Sequence, residues 1–285
     1  MARRNNRDRL QAPTQDTTTP ATTTTTSTDD LFSFVNPTEF VSLPSEGRFY
    51  PEDHPLHNVD TVEIKHMTAK EEDILTSETL LKKGIAINRM VASILVDKKI
   101  KVEDLLLGDK NALLIAARIT GFGPFYEVGT TCPSCAKKEE KTYDLRDIQE
   151  TELPEAPEGV EVLDNGCFVI TLPTADVKMT VRLLTAQDEE SFQTNIENKK
   201  KLKKESTVVT DLLKAIIVAA NEHTDRDIIN QFVDVIPLRD VAYLRKQYDQ
   251  IKPGMDINFD FECPTCNYAG KVVMPMTAEF FWPRA

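Results

Sequence analysis

Two copies of one short motif restrict this chain more than anything else in it. Cys132-Pro-Ser-Cys135 and Cys263-Pro-Thr-Cys266 both read C-P-x-C, and they stand 131 residues apart. A C-x-x-C turn offers two thiolates on one side of a tight bend. A closed tetrahedral zinc site wants four. Each motif ends one alternating stretch, "FYEVGTT" or "DINFDFE", and begins another, "EKTYDLR" or "GKVVMPM". Each is therefore the tip of a β-hairpin. The spacing predicts a split zinc ribbon in which Cys132, Cys135, Cys263 and Cys266 form one structural site with no open position for water or substrate. Iron also accepts four thiolates and is the less favoured metal. A redox C-x-x-C would call for a βαβ context that the sequence does not show. In each knuckle the residue after the second Cys needs the left-handed region. Asn267 tolerates it and Ala136 does so poorly, so the first knuckle is expected to be the less regular.

The rest of the chain repeats along with the motif. "HMTAKEEDIL" at 66–75 resembles "LLTAQDEESF" at 183–192, and in each a Thr followed by an acidic N3 residue makes a capping box. Further on, Asp109 corresponds to Asp240 and Gly123 to Gly254, again 131 residues apart, with both glycines read as helix stops. The offset is 117 at the capping boxes and 131 here, so fourteen residues are inserted among the helices of the second copy. Helical patterning covers "EEDILTSETLLKKG", "INRMVASILVD" and "DKNALLIAARITG". In the second copy it covers "EESFQTNIENKKKLKKE", "TVVTDLLKAIIVAANE" and "LRDVAYLRKQYDQIK". The expected class is α+β, built from two helix-plus-β-hairpin units joined by the split ribbon. The order is a disordered Thr-rich tail at 1–30, an extended docking segment at 31–60, a first repeat at 61–150, a connecting segment at 151–176 and a second repeat at 177–285.

Composition excludes several classes. Residues 1–30 hold one Leu and no Val, Ile or aromatic residue, too little apolar surface to offset ordering entropy. They also lack the apolar core of a secretory signal. A formal charge of −12 argues against a general nucleic-acid binder. No apolar run is long enough to span a membrane. Five cysteines, an odd number, do not form a secreted disulfide framework. Cys167 in "NGCFVI" reads as a small strand residue. His54 and His57 in "EDHPLH" have no third ligand nearby, and "NKKKLKK" at 198–204 reads as a solvated helix face. No phosphate loop, dinucleotide fingerprint or nucleophile elbow is present, so no catalytic residue is assigned. The C-terminal "EFFWPRA" carries the only tryptophan, Trp282, and either folds back or anchors a partner.

The stretch "LPSEGRFYP" at 43–51 resembles the N-terminal motif of the baseplate hub proteins of T-even-like, contractile-tailed phages. The order that follows it is also similar: a Thr-Ala-x-Glu/Asp-Glu helix start, helices, then strand and C-P-x-C. The resemblance covers about residues 35–285. It implies a non-enzymatic hub component or assembly factor that binds other tail proteins; a homo-oligomer is compatible with that, and neither nucleic acid nor membrane is an expected partner. It would be made in the host cytoplasm and act either there, in assembly, or in the virion tail baseplate. The competing reading is a zinc-ribbon adaptor of transcription or replication machinery, which would be marked by a basic ribbon face.

Overall fold

The computed structural model describes residues 37–151, 158–202, 205, 207–274, 276 and 278–281. The expectations for the tail at 1–30, for Trp282 and for part of the lysine run fall outside these residues. Strand β1, Thr38–Ser42, pairs antiparallel with β2, Thr61–Lys65, and sets Val41 opposite Val62. The alternation in "TVEIK" buries Val62 and Ile64 and leaves Thr61, Glu63 and Lys65 half-buried on the other face. Between the two strands the chain turns tightly and buries Leu43, Tyr50 and Leu56. The described part of the 31–60 stretch therefore docks on this chain's own core.

Helix α1, Ala69–Thr76, starts at Thr68, where the capping box is formed: the Glu71 carboxylate accepts the Thr68 N–H at 2.8 Å. Helices α2, Glu78–Lys82, and α3, Ala86–Ile94, follow. Leu95 then bridges back to Ile64 on β2. After a 3₁₀ turn, Val102–Asp104, comes α4, Leu107–Phe122, which is buried from Gly108 to Arg118 except at Asn111. Its apolar run from Ala112 to Ala117 is buried on every side, which places the helix in the middle of a core, and the buried Asp109, Lys110 and Arg118 there have polar partners. It stops at Gly123, whose φ of +85° suits glycine. Strands β3, Phe125–Thr131, and β4, Lys138–Asp144, form the first metal-motif hairpin.

The second half opens with an antiparallel sheet of order β5-β6-β7-β8: Val160–Val162, Cys167–Thr171, Lys178–Arg182 and Ile217–Ala220. Helices α5, Ala186–Lys201, and α6, Val208–Ile216, lie between β7 and β8. Helix α7, Arg226–Val235, and α8, Leu238–Ile251, lead to the second hairpin, β9, Asn258–Glu262, and β10, Ala269–Val273. A last 3₁₀ turn, Ala278–Phe281, returns Phe280 and Phe281 to the interior. One hydrophobic cluster runs through both halves, from Val41 to Phe281.

Two elements depart from the sequence pattern. The helical reading of "TVVTDLLKAIIVAANE" holds only to Ile216. "IVAA" instead forms β8 against β7, where a β-branched pair fits the sheet edge. Gly254 does not stop the last helix, because α8 ends at Ile251. Lys252 takes an extended conformation with Pro253 behind it, as residues before proline do. The Pro253–Gly254 turn has another use: α4 crosses it at Gly108, where a Cβ would lie 2.1 Å from the Pro253 carbonyl oxygen and 2.8 Å from Gly254 Cα. Both obstacles are backbone. Gly108→Ala should therefore cost about 3 kcal/mol, read as a lower denaturation midpoint. A change below about 0.5 kcal/mol would mean that the two halves do not meet there.

Buried polar anchors tie loops to helices. The Asp109 carboxylate accepts from Ser45 N (3.0 Å), Ser45 Oγ (2.6 Å) and Tyr50 Oη (2.8 Å). Asp240 accepts from the N–H groups of Thr174 and Ala175, each at 2.9 Å. Burial pushes the Asp240 carboxyl up, and those donors outweigh it, so it sits below the ordinary value. The capping carboxylates behave alike. Burial raises both, but the Ser93 and Thr68 hydroxyls hold Glu71 down, and the Arg182 guanidinium with Thr185 N–H holds Asp188 down. A depressed pKa gives stability that is complete above the unfolded value, about 4, and is lost as pH falls through the folded one. Glu71→Gln and Asp188→Asn should thus flatten the loss of stability in urea melts below about pH 4 and leave the slope between pH 5 and 7 unchanged. Equal slopes for parent and variants in the acid range would refute this.

Candidate metal centre

Each knuckle is built by its own backbone. In the first, Ala136 N–H donates to Cys132 O at 2.9 Å and Cys132 N–H to Lys137 O at 2.8 Å. In the second, Asn267 N–H donates to Cys263 O and Cys263 N–H to Tyr268 O, both at 2.9 Å. Ala136 has φ 56° and Asn267 has φ 55°. The expected irregularity of the first knuckle is therefore not found: Ala136 takes the same left-handed conformation as Asn267, at a local cost of about 1 kcal/mol. Proline second in each knuckle presets the turn.

The two hairpins meet through side chains, since each is its own two-stranded sheet. Tyr143 of β4 stacks on Phe259 of β9 with centroids 4.1 Å apart. Phe261 is buried behind Cys132 and Cys263, with Cys135 and Val272 against the same cluster. This contact brings together all four cysteines that the sequence singled out. Cys132 Sγ lies 3.6 Å from Cys266 Sγ, and Cys135 Sγ lies 3.7 Å from Cys263 Sγ. All four sulfurs fall within 4.8 Å of one another. A tetrahedron of thiolates about 2.3 Å from a central zinc has edges of about 3.8 Å, so the donor set has the size and chemistry that zinc requires.

Burial is graded across the set. Cys132 and Cys263 are each 1% exposed, Cys135 is half-buried and Cys266 is open to solvent. Burial pushes the Cys263 thiol up. The N–H groups of Cys266 and Thr265 and the neighbouring thiols outweigh it and bring it down to about 7. At Cys135 the Lys137 N–H acts in the same direction, but burial and the neighbouring thiols outweigh it and push that thiol up to about 12, so the turn N–H groups favour the thiolate at Cys263 and not at Cys135.

Among the described residues this is the one group of three or more metal-type ligands. His54 Nδ1 accepts the Leu56 N–H, and His57 Nδ1 lies 2.7 Å from Tyr50 O, so both histidines serve their own turn. Cys167 stands on β6 opposite Arg182, away from the cluster. Sequence reasoning missed Phe261 and the Tyr143–Phe259 stack. The alternation of "NFDFE" and "KTYD" shows which residues share a face of each strand, but not that the two faces meet. No helix among the described residues is long and apolar enough to cross a membrane. A family model described as T4 bacteriophage base plate protein matches residues 37–282. No curated protein and no solved structure matches the chain.

Proposed function

Because the chain belongs to the T4 bacteriophage base plate protein family, we propose that it is a non-enzymatic structural or assembly component of the baseplate hub. It is clamped by one zinc ion on Cys132, Cys135, Cys263 and Cys266, and it acts through contacts with other tail proteins. The observation that carries this reading is the family match over nearly the whole described chain, together with a four-sulfur site that has no free coordination position. When bound, zinc would supply cross-linking rather than chemistry. The chain's own residues supply the knuckle turns, the buried Phe261 behind them and the loop anchors at Asp109 and Asp240. The outer faces of the hairpins mix Lys138, Glu140, Asp260, Glu262 and Lys271, all exposed. That lacks the basic field a nucleic-acid adaptor would use. Synthesis in the host cytoplasm and a place in the virion tail follow from the same reading.

The proposal includes an internal duplication, supported by correspondences at several levels. β1-β2 matches β6-β7. "LPSEG" at 43–47 matches "LPTAD" at 172–176, and in each the third residue donates its N–H to a buried helix aspartate, Asp109 or Asp240. Thr68 matches Thr185. The nine-residue α3 matches α6, and both lead straight into a pairing with the second strand, Leu95 with Ile64 and Ile217 with Val181. On this reading each copy begins one strand earlier than the sequence pattern puts it, near residues 38 and 167, and α7 lies in the inserted stretch. Residues 61–150 and 177–285 remain the helix-and-hairpin bodies, with 31–60 and 151–176 contributing the strand and loop that precede them.

The hub reading is tested by co-purification of the full chain with other hub proteins, and by mass spectrometry of purified particles. Retention of those partners at moderate salt is expected. Capture of DNA instead, falling steeply with salt, would put the adaptor in its place.

A further inference from the structure

We propose that the four-cysteine centre is a convertible clamp: on exposure to a small-molecule disulfide it releases its metal and closes as two cross-hairpin disulfides, Cys132–Cys266 and Cys135–Cys263. The proposal rests on the metal reading above. Each of these pairs joins one half of the chain to the other, and their sulfurs already stand 3.6 and 3.7 Å apart. Within a knuckle, the backbone bonds from Ala136 to Cys132 and from Asn267 to Cys263 fix the turn, and each of its sulfurs has a sulfur of the opposite hairpin within 3.7 Å. Closing Cys132–Cys135 or Cys263–Cys266 would turn those sulfurs back on their own turn and leave the hairpins joined only by side-chain contact.

The graded burial gives the order of events. Cys266 is open to solvent, whereas Cys132 is 1% exposed. The Cys266 thiolate attacks one sulfur of the oxidant, forms a mixed disulfide and expels one small thiolate. The Cys132 thiolate then attacks the Cys266 sulfur, forms the protein disulfide and expels the second small thiolate. The protein pair is oxidised by two electrons and the reagent disulfide is reduced to two thiols. Loss of two ligands frees the metal, and the same exchange through the half-buried Cys135 closes Cys135–Cys263. The halves thus stay joined whether the surroundings are reducing, as inside a cell, or oxidising, as outside one.

The test uses the full chain carrying Cys167→Ser, loaded with zinc and treated with oxidised glutathione. A chromogenic chelator follows metal release, and non-reducing peptide mass spectrometry maps the bonds. The expected result is one equivalent of zinc released as Cys132–Cys266 and Cys135–Cys263 form, with the chain monomer intact. With one equivalent of oxidised glutathione and short exposure, glutathione on Cys266 or the Cys132–Cys266 bond should appear before the Cys135–Cys263 bond, because Cys266 is the cysteine of the set that is open to solvent. Pairing within the knuckles, cross-links between chains, or no oxidation under conditions that oxidise the metal-free chain would each overturn the proposal. Cross-hairpin bonds in a chain that never bound zinc would leave the disulfide inference standing and defeat the metal reading alone.

Discussion

Elemental analysis of the chain purified under reducing conditions should give one equivalent of zinc, and Cys263→Ser should reduce it to near zero. The same substitution, or a strong chelator, should lower the thermal midpoint by at least about 10 °C. The size follows from two opposing terms. Structural zinc sites are worth on the order of 10 kcal/mol where the metal organises an otherwise unfolded peptide. Here a core cluster running from Val41 to Phe281 already joins the halves, so much of the order survives without the ion. The loss should therefore concentrate in β3-β4 and β9-β10. Hydrogen exchange there should accelerate far more than in α4, which is buried through most of its length. Two equivalents of zinc, or none, would end the shared-site reading. Uniform acceleration across the chain would show that the core does not stand without the metal.

Asp109→Ala should be the most damaging single change outside the cysteines. It removes the common acceptor of three buried donors: Ser45 N–H, Ser45 Oγ–H and Tyr50 Oη–H. Each orphaned buried donor costs about 1–3 kcal/mol, and relaxation recovers part of that, so about 4 kcal/mol is expected. Tyr50 Oη also accepts the Leu106 N–H at the start of α4, so the damage reaches that helix. Ser45→Ala removes one hydroxyl donor and leaves the backbone bond, so it should cost about 1 kcal/mol. Urea denaturation of both variants checks the ratio. Equal losses would mean that the carboxylate is not the hub of the network. Asp240→Ala should act in the same way on the turn at 172–176.

Much of the site was legible in the sequence because its signals are local. A C-P-x-C turn, a Thr with an acidic residue three positions on, and a glycine after a helix all act over a few residues, and all but Gly254 lie where that logic puts them. The cluster of Cys132, Cys135, Cys263 and Cys266 could be anticipated because only four thiolates close such a site. What escaped depends on partners far along the chain. Asp109 could be matched to Asp240 by spacing, but nothing near either one says that a loop 64 or 66 residues away donates to it. β8 was hidden because "IVAA" suits helix and strand alike until β7 is beside it. Residues 31–60 look only like an extended docking segment in the sequence because prolines and glycines mask the anchors in their described part. Leu43, Tyr50 and Leu56 in fact belong to this chain's core, as do Phe280 and Phe281 near the C-terminus.

The distance between the knuckles along the chain also has a consequence during synthesis. The sulfurs that end closest together are 128 and 134 residues apart in the chain. A ribosome adding 5–20 residues per second takes on the order of ten seconds to get from the first knuckle to the second. Throughout that interval the nascent chain offers only two thiolates, too few to close a tetrahedral site. The first hairpin must wait with Cys132 and Cys135 unshielded, and α4 waits too, because part of its packing, at Pro253, Gly254 and Phe280, comes from the second half. On the proposed metal reading, capture would come last in translation and would mark the molecules that were read through at least to Cys266. A chain released early would lack the clamp however well its first half had folded.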